Sequence, residues 1–295
     1  MRQPAVDHID FSVVIPAYNE ATVIGRQLDA LVEQSWDGSW EVLVVDNRST
    51  DGTAEIVHEY QRRDSRFRVV AANERQGISY ARNAGIEASR GRSFALVDAD
   101  DLVADGWVAA MGTALRVHPF VTGPLELARL NPPWLVDSRG RRDETESPTF
   151  SGLFPTAHGN NMGMQKALWE KIGHFDEDPR LLGAEDIEFS MRAWLEGIPC
   201  SFVPDAITHY RYRTESGVLW QQGRRYGQAR PLVARMVHER KGIRPPRFGG
   251  WRSWGWLVVH LPDLVRPERR ASWVWVAANR LGQLEGSIRY RSFFV

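Results

Sequence analysis

The sequence predicts an α/β protein: a mostly parallel sheet covered by helices on both faces, followed by a helical extension. Three observations carry this. The first hundred residues alternate short, nearly continuous apolar runs with helix-periodic segments, which is the pattern of βαβ units. Each apolar run ends in polar or glycine residues. Charge is segregated: residues 1–223 hold 22 Lys and Arg against 33 Asp and Glu, whereas residues 224–295 hold 15 against 4. With 295 residues, 43% of them hydrophobic and 25% charged, the chain has the composition of a globular protein and excludes disorder, collagen and coiled coil.

The elements follow in order. Strands are predicted at 11–17 (FSVVIPA), 40–46 (WEVLVVD), 67–72 (FRVVAA) and 93–98 (SFALVD), with helices over about 20–34, 53–63 and 78–89 between them. Ser49-Thr50-Asp51 offers capping chemistry for the second helix. Beyond Val103 the rhythm changes. A helix at 105–117 and an apolar stretch at 120–130 lead into a Pro-rich, densely charged segment at 131–151 that reads as a long loop. A Gly/Asn segment (HGNNMGM), a short helix from about Gln165, a helix over 184–196, a strand pair within 200–213 and a helix over about 219–241 come next. Residues 244–250 (RPPRFGG) mark a linker before the final helical stretch.

Several function classes are excluded. The GxGxxG, Walker A and HExxH patterns are absent, against a dinucleotide enzyme, a P-loop ATPase or a zincin. A single cysteine, Cys200, rules out an internal disulfide and a multi-cysteine zinc site. No uncharged apolar run approaches the roughly 18 residues that span a bilayer, and Asp7 and Asp10 stand where a signal peptide needs an apolar stretch, so a cytoplasmic location is expected.

In such sheets ligands bind outside the carboxyl ends of the strands. Tyr18, Asn19 and Glu20, then Asp46 and Asn47, then Asn73, then Asp98, Asp100 and Asp101 stand at the four predicted ends. Three carboxylates within four residues repel one another unless a cation sits among them, and hard oxygen ligands suit Mg²⁺ or Mn²⁺. Such a cation would hold a diphosphate as a leaving group. A solvated acidic turn capping the next helix is the alternative.

Ile15 to Glu20 (IPAYNE), Val45 to Thr53 (VDNRSTDGT), Gly77 to Gly85 (GISYARNAG) and Asp98 to Asp101 (DADD), in this order, resemble the family 2 glycosyltransferases of the GT-A fold. Gly173 to Glu177 (GHFDE), Gly183 to Phe189 (GAEDIEF) and His209 extend the resemblance over about residues 10–215. It implies an inverting transferase that moves a sugar from a nucleoside-diphosphate sugar to an acceptor hydroxyl. By position, Pro16, Ala17, Tyr18 and Glu20 line the nucleoside pocket, Asp46 bonds the base, and Asn73 and Arg82 lie near base or diphosphate. Asp98 faces ribose or sugar and shares the metal with Asp100, and His209 is a further ligand. Asp186 is the candidate base, with Glu185 positioning acceptor or donor. Asn160 and Asn161 fall where the acceptor pocket is shaped, and Arg224 and Arg225 lie in a segment (QGRRY) that resembles the QxxRW signature of processive members, contacting diphosphate or acceptor phosphate.

The residues taken alone leave alternatives open. Asp46 can cap the following turn, Arg82 can be a solvated helix charge, and His209 can be a packed strand histidine. Glu185, Asp186 and Glu188 suit the first turn of a helix through its dipole alone. Asn160 and Asn161 can be a plain turn, and Arg224 and Arg225 a basic helix face.

The expected organisation is a catalytic domain over 1–215, with a nucleotide-sugar half at 1–103 and an acceptor half at 104–215, and a helical basic extension over 216–295. In the extension Trp251, Trp254, Val258, Leu261 and Val265 fall on one helical face among arginines, which suits an anionic membrane surface. Packing on the catalytic domain or dimer formation is the alternative. The expectation is therefore a metal-dependent transferase, peripheral on the inner face of the membrane, acting on a lipid-linked or cell-envelope glycan. Its oligomeric state is open and no nucleic-acid partner is expected. Rivals are a non-catalytic nucleotide-sugar-binding scaffold and a sugar-1-phosphate nucleotidyltransferase.

Overall fold

The computed structural model describes residues 9–139, 145–243 and 250–292. Its first third is the predicted alternation: β1 (Phe11–Ala17), α1 (Ile24–Val32), β2 (Trp40–Asp46), α2 (Thr53–Arg63), β3 (Phe67–Ala71), α3 (Ile78–Ala88) and β4 (Ser93–Val97). All residues of β1 and β4 are buried, as strands covered on both faces must be. Next come β5 (Leu102–Val103), α4 (Trp107–Leu115), β6 (Phe120–Thr122), β7 (Leu125–Glu126), α5 (Pro133–Arg139), β8 (Thr149–Phe150), β9 (Phe154–Pro155), β10 (Asn161–Gln165) and α6 (Lys166–Ile172). The chain closes with α7 (Glu185–Leu195), β11 (Ser201–Phe202), β12 (Thr208–His209), α8 (Ser216–Lys241), α9 (Trp251–Val259) and α10 (Pro267–Tyr290).

The main sheet has the order β11-β6-β10-β4-β1-β2-β3. Strands β3, β2, β1 and β4 run parallel, and β10 enters antiparallel between β4 and β6. One face packs on α1, α2 and α4 through Ile24, Leu28, Val57, Trp107 and Met111; the other packs on α3, α6 and α7 through Ala81, Ile86, Trp169 and Phe189. At the end of the sheet away from the strand carboxyl ends, the buried Glu41 is satisfied by the Ser12 hydroxyl, the Arg90 N–H and the Arg68 guanidinium.

Two expectations are corrected. The segment 131–151 is not one long loop: it contains α5, whose Leu135 buries against Leu219 and Ala271, and β8, which forms a hairpin with β9. The short apolar run Trp134-Leu135-Val136 carries no helical period, and flanking prolines and charges hide the helix in the sequence. The strands within 200–213 do not pair with each other, because β11 joins β6 in the main sheet while β12 lies between β5 and β7. Most of the predicted linker, residues 244–249, falls outside the described residues.

The C-terminal helices pack against the rest of the chain. Ala229, Val233 and Val237 of α8 share a core with Leu181, Ala184 and Met191. Helices α8 and α10 meet backbone to backbone: a Cβ on Gly227 would stand 2.2 Å from the Asn279 carbonyl oxygen, and one on Gly282 would stand 2.1 Å from that of Arg224. No methyl fits at that distance. By contrast, nothing lies within 4 Å of a Cβ on Gly255 in α9. In a helix interior Ala is favoured over Gly by roughly 0.5–1 kcal/mol, while overpacking a tight contact costs about 1–3 kcal/mol. Gly255→Ala should therefore raise stability and Gly282→Ala lower it, as read from urea unfolding midpoints. Equal shifts for the two would contradict the close helix contact.

Candidate active site

The acidic turn after β4 is held from α1. The Gln27 amide donates to the Asp98 carbonyl (3.3 Å) and its Oε1 accepts the Val103 N–H (2.9 Å), while Gln34 Oε1 accepts the Val108 N–H (3.1 Å). Asp101 turns inward, accepting from the Asn160 amide and from the Arg211 N–H at 2.8 Å. Asp98 and Asp100 border two adjoining cavities. One, of about 280 Å³, is walled by Pro16, Ala17, Tyr18, Glu20, Asn47 and Gly77; the other, of about 360 Å³, by Arg82, Gly159, Asn160, Glu185, Asp186, Tyr210, Gln222, Arg225 and Tyr226. Arg213 borders both.

Local sequence explains the first wall. Asn19 adopts the left-handed conformation at φ 56°, which Asn tolerates better than most residues, and its Oδ1 accepts the Thr50 N–H at 2.8 Å. The turn after β1 is thereby tied to the turn after β2. Asn47 donates to the Ala72 and Arg75 carbonyls (2.6 and 2.8 Å) and accepts the Gly77 N–H (2.8 Å), fixing the entry to α3.

The second wall is organised by Arg82 of α3, which is only 4% exposed. Its guanidinium donates to the Gly159 carbonyl (3.0 Å) and to Glu185 Oε1 (3.3 Å), and stands 3.6 Å from Asp98 Oδ1. Glu185 Oε2 also accepts the Gly183 N–H at 2.6 Å. Asp186 faces the cavity, its carboxylate accepting the Gly159 and Ile187 N–H groups at 3.0 and 2.8 Å. Glu185 is thus tied by the buried arginine, and Asp186 is held by backbone groups alone.

Burial, with carboxylate crowding added to it, sets the electrostatics. Burial, with Asp100 and Glu185 adding to it against Arg82, moves Asp98 up to about 6. Burial and Asp100 move Glu20 up to about 7, and burial reinforced by Asp98 and Asp100 holds Asp101 well above the carboxylate range. Glu185 is also raised by burial, opposed by Arg82. Carboxylate oxygens of Asp98, Asp100 and Asp101 lie within 4.8 Å of one another, and Asp98 Oδ1 is buried without a hydrogen-bond partner. A group of hard oxygen donors with an unsatisfied oxygen fits a divalent cation.

Several expected site residues stand elsewhere. His209 is corrected: its Nδ1 meets Glu126 Oε2 at 2.6 Å and its Nε2 faces the Arg129 guanidinium at 3.1 Å. Since guanidinium only donates, the Nε2 lone pair is spent on it and the ring links β12 to the chain after β7. Asn161 is corrected too, for its amide donates to the Pro124 and Ala206 carbonyls and accepts from the Trp107 indole inside the core. Arg224 turns to α10 and pairs with Glu285 at 2.8 Å, away from both cavities, while Arg225 next to it lines the larger one. Asn73 is exposed on the loop between β3 and α3, and Asp46 accepts the Ser49 N–H at 3.2 Å. Residues missed in the sequence are Arg213, which meets Asp100 Oδ2 at 2.9 Å, and the Gln27 and Gln34 clamps. The paired arginines in RYR beside His209 were a signal for Arg213. A helix glutamine gives none.

The model of glycosyl transferase family 2 matches residues 12–172, and that of glycosyl transferase family group 2 matches residues 141–281. The glycosyltransferase AglE of Haloferax volcanii is 31% identical over 222 residues, covering 72% of this chain and 70% of AglE. The uncharacterized glycosyltransferase EpsJ of Bacillus subtilis is 37% identical over 221 residues, covering 70% of this chain and 62% of EpsJ. Among solved structures, the mannosyltransferase PcManGT from Pyrobaculum calidifontis, in complex with GDP-Man and Mn²⁺, superposes with a TM-score of 0.67 at 20% identity, covering 95% of this chain and 88% of its own. TarS 1–349 of S. aureus in complex with UDP-GlcNAc gives 0.55 at 19% identity, covering 97% and 93%. At these identities the likeness shows the fold, that of the GT-A glycosyltransferases.

The crowded carboxylates have a pH signature. Folding raises Asp98 from 3.8 to about 6 and Glu20 from 4.5 to about 7, so the folded chain keeps protons that the unfolded chain gives up between about pH 4 and 7. Stability from these two groups therefore falls as pH rises through that window. A cation among the charged forms offsets the loss. Mn²⁺ should raise the melting temperature more at pH 8 than at pH 5 in thermal-shift measurements; an equal rise at both would place cation binding elsewhere.

Proposed function

The chain belongs to glycosyl transferase family 2 and is a glycosyltransferase; from that premise we propose that it transfers a sugar, with inversion, from a nucleoside-diphosphate sugar to an acceptor hydroxyl. The observation that carries this reading is the placement of Asp186 on the wall of the larger cavity, which Asp98 and Asp100 share with the smaller one. The nucleoside takes the smaller cavity against Pro16, Ala17, Tyr18 and Glu20, the diphosphate lies by Asp98 and Asp100, and the acceptor enters the larger cavity. Residues 1–103 then bind mainly the donor and 104–215 the acceptor, with Gln222, Arg225 and Tyr226 of α8 completing the acceptor wall.

Asp98, Asp100 and Asp101 would hold the cation, Mn²⁺ or Mg²⁺, which when bound draws negative charge from the departing diphosphate. The Asp186 carboxylate accepts the acceptor hydroxyl proton as that oxygen bonds to the anomeric carbon and the bond from this carbon to the diphosphate oxygen breaks. Attack from the face opposite the diphosphate inverts the anomeric centre. Two N–H groups aim the Asp186 carboxylate, and Glu185 keeps Arg82 and the Gly159 loop in place beside it. Solved relatives of this fold hold GDP-Man with Mn²⁺ and UDP-GlcNAc, which supports a donor of this class. Asp186→Asn keeps shape and loses basicity, so transfer should fall by at least about 10²-fold while nucleotide binding is retained. Normal turnover by this variant, measured with UDP- and GDP-sugars, would remove Asp186 as the base.

On this reading the acceptor is a lipid-linked or cell-envelope glycan, reached by docking on the anionic inner face of the membrane. Among the described residues no helix is long and apolar enough to cross a membrane. Support comes from α9 and the turn after it, where Trp251, Val258 and Val265 are 67%, 76% and 79% exposed in line with Trp254 and Leu261. Exposed Arg252, Arg266, Arg269 and Arg270 flank this stripe. Trp273 and Trp275 do not join it; the Trp273 indole donates to the Leu257 carbonyl and Trp275 meets Tyr226 edge-on. A basic rim around exposed Trp and Val suits the headgroup boundary of an anionic bilayer. The triple variant Trp251→Ser, Val258→Ser, Val265→Ser should lose co-sedimentation with anionic vesicles at high salt, where the wild-type chain retains part of it. Equal partitioning of the two would end the docking proposal.

A further inference from the structure

Two arginines pair with carboxylates of the acidic turn, Arg82 with Asp98 and Arg213 with Asp100, and they are held very differently. Arg82 is buried and bonded to Gly159 and Glu185, so it cannot leave without stranding a carboxylate. The Arg213 side chain is 49% exposed and holds Asp100 Oδ2 at 2.9 Å and Glu20 Oε1 at 3.9 Å through one guanidinium nitrogen. Its segment, between β12 and α8, has no regular secondary structure. The residues just before it are tied down: the Arg211 N–H donates to Asp101, its Nε to the Asp100 carbonyl, and the Tyr212 N–H to Asn131. The backbone just before it is therefore anchored, while the half-exposed Arg213 side chain can turn away from Asp100 about its own bonds.

A divalent cation coordinated by Asp100 and the Arg213 guanidinium seek the same carboxylate, and as like charges they repel at that distance. Arg213 borders both cavities, so a guanidinium displaced from Asp100 stays within the crevice where a diphosphate would lie. We infer that Arg213 is a counter-ion latch, closed on Asp100 until metal and nucleoside diphosphate enter together and draw the guanidinium onto the diphosphate. This rests on the glycosyltransferase reading for the identity of the anion. The latch makes the binding of metal and nucleotide reciprocal: each improves the other's affinity by the same factor. It also disfavours cation binding to the acidic turn when no donor is present.

The test uses the full chain and Mn²⁺ as the probe, with free Mn²⁺ read from its paramagnetic resonance signal, alone and with UDP or GDP. Arg213→Ala should bind Mn²⁺ alone at least about tenfold tighter than wild type, since a competing charge is gone from a partly solvated site. It should also lose most of the enhancement that the nucleotide gives the wild-type chain. Arg213→Lys, which keeps the charge on a smaller donor, should fall between the two. Its Mn²⁺ affinity serves in place of the Ala variant if a thermal melt shows the latter unfolded. Unchanged or weaker Mn²⁺ affinity in the variant, nucleotide enhancement kept in full, or no Mn²⁺ binding by either protein would each overturn the latch. Sugar turnover by the wild-type chain, assayed separately, decides the transferase reading: turnover with unaltered Mn²⁺ affinity in the variant sinks the latch alone.

Discussion

The buried guanidinium of Arg82 is the contact on which the crevice depends. It joins α3 and the turn after β4 to the Gly159 loop and the start of α7, which lie much further along the chain, through Asp98, Gly159 and Glu185. A buried cation needs this much company, because removing one partner would leave a desolvated charge with nothing to balance it. The geometry follows: Glu185 turns inward to the arginine, so its neighbour Asp186, one residue on in the first turn of α7, faces the cavity. The Gly159 N–H that aims Asp186 belongs to the residue whose carbonyl Arg82 holds. Metal turn and candidate base are in this way set by one side chain.

Much of this was legible in the sequence because it is local. Continuous apolar runs gave β1 and β2 to the residue, and polar strand ends marked the crevice. The misses are long-range. His209 sits next to the acidic turn in the sheet β5-β12-β7, yet its partners are Glu126 and Arg129, which no spacing rule connects to it. Asn160 and Asn161 are neighbours with opposite fates, since the first lies in the turn before β10 and reaches Asp101, while the second opens the strand and points into the core. Arg224 and Arg225 divide similarly on α8, one toward α10 and the other toward the cavity. Side-chain direction decides which member of each pair lines the crevice.

The C-terminal helices join architecture to the site. Because α8 both lines the larger cavity and packs its glycines against α10, the extension forms part of the crevice wall as well as carrying the basic charge. The acidic crevice and the basic, Trp-bearing surface of α9 are parts of one packed body. On the function proposed above, the donor enters the crevice and the acceptor is met at the basic surface.

The central claim is that Asp98, Asp100 and Asp101, and not the His209 cluster, receive the cation. Anomalous diffraction at the manganese edge from crystals soaked with Mn²⁺ and UDP or GDP tests it most directly. The account predicts one peak among the three carboxylates, with the Arg213 guanidinium displaced toward the diphosphate and His209 still on Glu126. A peak bonded to His209, or Arg213 still on Asp100 beside a bound ion, would contradict it.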